Sequence, residues 1–201
     1  RYGDQVMVDF CMRYGNPSTK SKVEAMVKAG CRKILFFPLY PHYAGATSAT
    51  ANDQFFRALM DEAWQPTARV VDPYFEQPSY IEALAQSVER GYAALAEKPD
   101  ILVVSYHGMP KRYLMQGDPY HCQCQKTTRL LRERLGYGGE LRAIGDVLLD
   151  QLQFMKRCGF DAFALRPDKD ATKAARCLNF FSQTYQAAAD TDVPLFRRRA
   201  S

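Results

Sequence analysis

No apolar run among the 201 residues is long enough to span a bilayer, so no transmembrane segment is expected within them. A GxGxxG or Walker pattern is missing too: Gly136, Gly138 and Gly139 crowd together without the spacing that cradles phosphates. Tryptophan occurs once and histidine three times, so any imidazole chemistry falls to His42, His107 or His121. The six cysteines are scattered, with no visible secretory signal, and read as reduced thiols of a cytoplasmic protein, not as a disulfide framework. A targeting segment upstream of Arg1 stays open. The formal charge of +5 includes Arg197, Arg198 and Arg199 side by side, and such a run is usually a solvated tail, so no nucleic-acid partner is inferred. What is present is a 47% hydrophobic composition, ample for a core, in a length that suits one large or two small domains.

Apolar periodicity gives an alternating order of elements. A strand is expected over residues 6–12, then a helix capped by Ser18 and running through Val23, Met26 and Val27. An unbroken apolar run at 34–37 reads as a strand buried on both faces. A helix follows over 52–60, a strand over 69–72, and an amphipathic helix over 80–96 with Ile81, Leu84, Val88, Tyr92 and Leu95 at helical spacing. Ile101, Leu102, Val103 and Val104 make a fourth strand. Strands alternating with helices predict an α/β protein with a doubly wound parallel sheet and right-handed crossovers. Beyond it, a helix over 147–157, a strand over 160–165 and a helix over 171–189 are expected.

In such sheets ligands bind at the carboxyl ends of the strands. His107 stands there, after the 101–104 run and before the Gly108 and Pro110 break. Imidazole is the commonest metal ligand and titrates near neutral pH, but a histidine in this place is as readily a loop cap. Tyr40, His42 and Tyr43 follow one strand, Tyr74 and Phe75 another, and Tyr106 and His107 a third. Aromatic faces with one or two imidazoles suit a flat conjugated ligand, although each tyrosine taken singly is more readily a half-buried loop anchor.

Three blocks carry a resemblance. Met12-Arg13-Tyr14-Gly15-Asn16-Pro17-Ser18 comes first, then Pro38-Leu39-Tyr40-Pro41-His42-Tyr43 with Thr47-Ser48-Ala49-Thr50, then Ser105-Tyr106-His107-Gly108-Met109-Pro110 with Gly117-Asp118-Pro119-Tyr120. Over about residues 2–136 the chain resembles ferrochelatase, the enzyme family that inserts ferrous iron into a porphyrin. The resemblance implies a chelatase-like sheet, incomplete here, with ferrous iron and a porphyrin, protoporphyrin IX or coproporphyrin, as substrates. It implies His107 as the catalytic and metal-binding residue, working opposite a glutamate. That glutamate belongs to a later segment of the form PGFxxDCLETLEE, which this sequence does not contain. Some family members carry an iron-sulfur cluster, which would draw on Cys122 and Cys124. Since a cluster takes four ligands and the other cysteines are distant, a 2Fe–2S cluster is not the expectation, and an incidental or reactive thiol pair is.

From about residue 140 to residue 199 the chain is similar instead to an uncharacterised bacterial family associated with assimilatory sulfite reduction. The expected organisation is therefore a ferrochelatase-like domain over 1–136 and a divergent or fused tail over 137–201, α/β or mostly helical. Three functions are carried forward: an iron-inserting enzyme impaired by the missing glutamate, a non-catalytic tetrapyrrole-binding or orphan protein, and a sulfur-assimilation accessory protein acting through the tail.

Overall fold

Ser18 opens helix α1 (Thr19–Lys28) as the sequence suggests: its hydroxyl accepts the Ser21 N–H at 3.1 Å, satisfying a donor with no partner inside the helix. The computed structural model describes residues 3–97, 102–145, 147–185, 187–191 and 193–198. Gly30, at φ +90°, reverses the chain after α1 in a conformation that favours glycine. Strand β1 (Lys33–Phe36) follows, then a π-helical stretch (Gly45–Ala49) that leads into helix α2 (Thr50–Met60), then strand β2 (Thr67–Val70). β1 and β2 pair in parallel, with Lys33 opposite Thr67 and Phe36 opposite Val70. The pairing and the intervening helix make the β-α-β unit that the alternating pattern requires. Val23, Ile34, Phe55, Ala58 and Leu59 form its core, and Phe55 stacks on Phe36 with ring centres 4.5 Å apart.

Two expected strands are absent. Residues 6–11 are not in a ladder, Met12 makes only an isolated bridge to Ser18, and Val8 and Phe10 stand 87% and 68% exposed. Ile101 lies outside the described residues, and 102–104 form no strand, with Val103 exposed. The physical reason is common to both. Periodicity tells which face a strand would bury, but a strand exists only when a neighbour takes its N–H and C=O groups. His107 therefore follows an irregular stretch and not a buried strand.

Helix α3 (Pro78–Ala93) is the expected amphipathic helix but ends sooner: it buries Ile81 and Ala85, while Leu95, read on its apolar face, lies past its end and is exposed. Helix α4 (Lys111–Met115) comes next, then helix α5 (Tyr120–Leu135). The tail holds strand β3 (Arg142–Ala143), helix α6 (Leu152–Arg157), strand β4 (Ala162–Phe163), helix α7 (Ala171–Cys177) and helix α8 (Leu195–Arg198). β3 and β4 pair in parallel over a second core of Ala143, Val147, Leu152, Met155 and Ala174. The helix expected over 171–189 stops at Cys177. Past it, the Gln153 side chain takes both the N–H and the C=O of Phe181, at 2.8 and 2.9 Å, and so supplies the hydrogen bonds that a helix would have made. Among the described residues no helix is long and apolar enough to cross a membrane.

The chain falls into two compact units, the described residues of 1–77 with 105–124, and those of 78–104 with 125–201. Within the second unit Arg132 of α5 is the stitch between helix and tail. Its guanidinium donates to the carbonyls of Tyr137, Gly139 and Gly159 and to the Asp161 carboxylate, whose other oxygen accepts the Leu141 N–H. Arg132→Ala leaves these acceptors without their cation and is expected to destabilise the chain by about 2–4 kcal/mol. Arg132→Lys keeps the charge but not the planar fork, and is expected to recover less than half of the loss. Urea unfolding of the three proteins checks this; equal midpoints for wild type and Arg132→Ala would show the stitch to be dispensable.

Candidate functional site

The three motif blocks meet within the first unit. Arg13 Nε donates to Thr50 Oγ1 at 3.1 Å, tying the first block to the hydroxyl-rich loop. The Tyr43 N–H donates to Gln123 Oε1 at 2.7 Å, and the Gly45 N–H to Asp118 Oδ2 at 2.7 Å, tying the second block to the third. Asp118 Oδ1 also accepts the Tyr120 N–H at 2.9 Å, which starts α5. Ser48 Oγ donates to the His42 carbonyl at 3.4 Å.

His42 is the centre of what these contacts hold. It is buried, with the rings of Tyr106 and Tyr120 edge-on at 5.5 and 6.0 Å and Phe75 stacked at 6.3 Å. Burial pushes its imidazole below the ordinary value, so it is held neutral. The Tyr120 phenol is pushed up to about 12, chiefly by burial and then by the neighbouring Cys124 thiol; a hydrogen bond from the His107 backbone acts the other way. Tyr106, whose ring meets His42, brings the adjacent His107 to the edge of the aromatic cluster, while His107 itself is exposed.

Of the other residues singled out in the sequence, Tyr43 enters through its backbone, and Tyr40 is half-buried in the same loop. Tyr74 packs edge-on against Phe37 at 5.3 Å, and burial raises its phenol above the ordinary value. Tyr120, Asp118 and Gln123 were not among the candidates. The signal that points to the first two is the Gly-Asp-Pro-Tyr block, an acidic residue just ahead of a helix start. Cys122 and Cys124 occupy positions i and i+2 of α5, which do not share a helix face, and one is exposed while the other is buried. Burial pushes the Cys124 thiol up to about 12 and desolvation raises Cys122, the opposite of what thiolate ligands need. Among the described residues no three histidine, cysteine or acidic side chains come together to hold a metal. This pair does not fit an iron-sulfur cluster.

A cavity of about 650 Å³ lies elsewhere, wholly in the second unit. Arg129, Arg132, Lys156, Phe160, Phe163 and Leu178 are among its walls, and none of the candidate residues is.

The neutral state of His42 sets a pH dependence. The unfolded chain takes up a proton near pH 6.5 that the folded chain refuses until lower pH, so stability is level above that value and falls as the pH drops below it. The facing Tyr120 phenol, pushed up to about 12, stays neutral throughout this window. Melting temperatures between pH 7.5 and about 5 are expected to fall less steeply in His42→Phe than in wild type. Parallel curves would place the acid sensitivity on other groups.

Comparison with known proteins gives two overlapping family matches. Residues 1–144 match the ferrochelatase family, and residues 125–196 match a family described as bacterial protein of unknown function (DUF934). The ferrochelatase of Rhodobacter capsulatus is 71% identical over 139 residues, covering 69% of this chain and 40% of that protein. The Allorhizobium ampelinum ferrochelatase is 58% identical over 135 residues, 67% of this chain and 39% of that protein. The Rhizobium meliloti ferrochelatase is 50% identical over 168 residues, 84% of this chain and 47% of that protein. The chain thus spans less than half the length of these curated relatives. With the family match covering residues 1–144 and the three motif blocks joined in one unit, the chain belongs to the ferrochelatase family.

Proposed function

We propose that the chain binds a porphyrin beside the aromatic cluster of the first unit and inserts ferrous iron there, with His107 as the base and metal-transfer ligand, at a rate lowered by the missing glutamate segment. One observation carries the reading: the buried His42 with the rings of Tyr106 and Tyr120 against it, Tyr106 being the residue just before the exposed His107. Two pyrrole N–H protons must leave as Fe²⁺ enters, so metal and porphyrin exchange charge for charge. An imidazole at the edge of an apolar wall can take one proton at a time through its ring lone pair and bind the incoming ion through the same lone pair. Tyr40, His42, Tyr43, Tyr74 and Tyr106 form the wall on this reading. The sheet would belong to a doubly wound one, with the family domain ending near Gly136 and the tail starting there.

Titration of protoporphyrin IX and coproporphyrin III, followed at the Soret band, tests the reading. One wall is retained and the segment bearing the opposite carboxylate is not, so weak binding is expected, with Kd above about 1 µM. Sub-micromolar binding would mean that the tail rebuilds a full pocket, and no spectral change at all would remove the porphyrin reading.

A further inference from the structure

We propose that Asp118 is a positioning residue for the porphyrin wall, an inference that rests on the porphyrin reading above. Its carboxylate spans two segments 73 positions apart, accepting the Gly45 N–H on Oδ2 and the Tyr120 N–H on Oδ1. Gly45 is the first residue of the π-helical stretch that leads into α2, and Tyr120 is the first of α5. Two helix starts, each with free N–H groups and a partial positive charge, therefore share one anion. Gly45 lies against the clamp at ordinary contact distance: a Cβ there would stand 3.4 Å from Asp118 Oδ2 and 3.7 Å from the Tyr113 ring. Beside this clamp, Gln123 holds the Tyr43 N–H at 2.7 Å.

What the clamp fixes is the spacing of the wall. His42 lies three residues before Gly45 and faces Tyr120, so the bond to Gly45 and the bond to Tyr120 set where the His42 ring meets the Tyr120 ring. The His42 ring also meets that of Tyr106, the residue just before His107. Asp118 thus acts on the ligand through other residues, setting the aromatic wall and the His107 segment at one distance. The chemistry needs a carboxylate, because two donors must be met by two acceptor oxygens. An amide offers one acceptor and turns an NH₂ donor toward the second N–H.

The test uses the full chain and protoporphyrin IX as the probe. Wild type, Asp118→Asn, Asp118→Glu and Gln123→Ala are titrated, with the Soret maximum of the bound porphyrin and the melting temperature recorded for each. Asp118→Asn is expected to weaken binding about tenfold and to move the bound Soret maximum toward that of free porphyrin, with melting shifted by only a few degrees. Asp118→Glu keeps both acceptors and is expected to recover most of the affinity. Shape alone gives the reverse order, since Asn is the closer match to Asp. Gln123→Ala is expected to weaken binding in the same direction, which keeps the inference testable if an Asp118 variant does not fold. Affinity within about twofold of wild type in both Asp118→Asn and Gln123→Ala overturns the inference alone. So does a loss in Asp118→Asn that Asp118→Glu makes worse. If wild type itself gives no Soret change, the porphyrin reading falls and this inference with it.

Discussion

Replacing His107 by Ala is expected to abolish iron insertion in a chain whose residues after Gly136 are exchanged for those of the Rhodobacter capsulatus ferrochelatase. The fall should be about a hundredfold to ten-thousandfold, the range that a positioned acid-base group contributes. The fold should barely notice. His107 is exposed and belongs to neither core, so truncating it removes little packing, and surface changes of this kind usually stay within about 0.5 kcal/mol. Anaerobic insertion of ferrous iron into protoporphyrin IX, alongside urea unfolding, separates the two roles. Retained turnover with a stability loss of about 3 kcal/mol would make His107 structural and leave the assignment on family membership alone.

The chain as it stands is expected to insert iron at least about a hundredfold more slowly than the same relative. Two pyrrole protons leave for each iron, and a lone imidazole must release the first before it can take the second, while it also passes the metal on. The carboxylate that shares this work in the family lies in a segment that the 201 residues do not contain. Supplying that segment by the exchange after Gly136 should restore the rate, which isolates the cause. Family-like turnover by the unaltered chain would contradict the argument and point to a carboxylate elsewhere in it.

How far the sequence was legible depends on the range over which each feature is decided. The cap at Ser18, α2 behind its hydroxyl-rich loop and the start of α3 are settled by neighbours a few residues apart and formed as read, although the apolar stripe of α3 stops short of Leu95. The pairing of β1 with β2 followed because one helix between two strands leaves a parallel partner within reach. The strands expected over 6–12 and 101–104 failed for the converse reason, since alternation and apolarity carry no information on whether a partner strand is there to accept the backbone. The early end of α7 was hidden in Gln153, whose side chain competes for the Phe181 backbone from 28 positions away. In the site, the aromatic loops could be found as punctuation after apolar runs. The cluster around His42 could not, because its geometry is set by Asp118 and Gln123 reaching loops 73 and 80 positions distant. His107 and His42 exchanged emphasis accordingly: the first is the exposed group at the edge, and the second is the buried one that organises the rings.

The central claim is the place where a porphyrin meets this chain, and the ring current of the macrocycle reports it directly. Two-dimensional NMR of the ¹⁵N-labelled full chain, with protoporphyrin IX added in steps, should shift the amides of residues 40–45, 74–75 and 105–108 and the imidazole signals of His42 and His107. Signals of residues 142–196 should stay in place. Shifts confined to the tail, around Lys156, Phe160 and Phe163, would contradict the account and move the ligand to the cavity of the second unit.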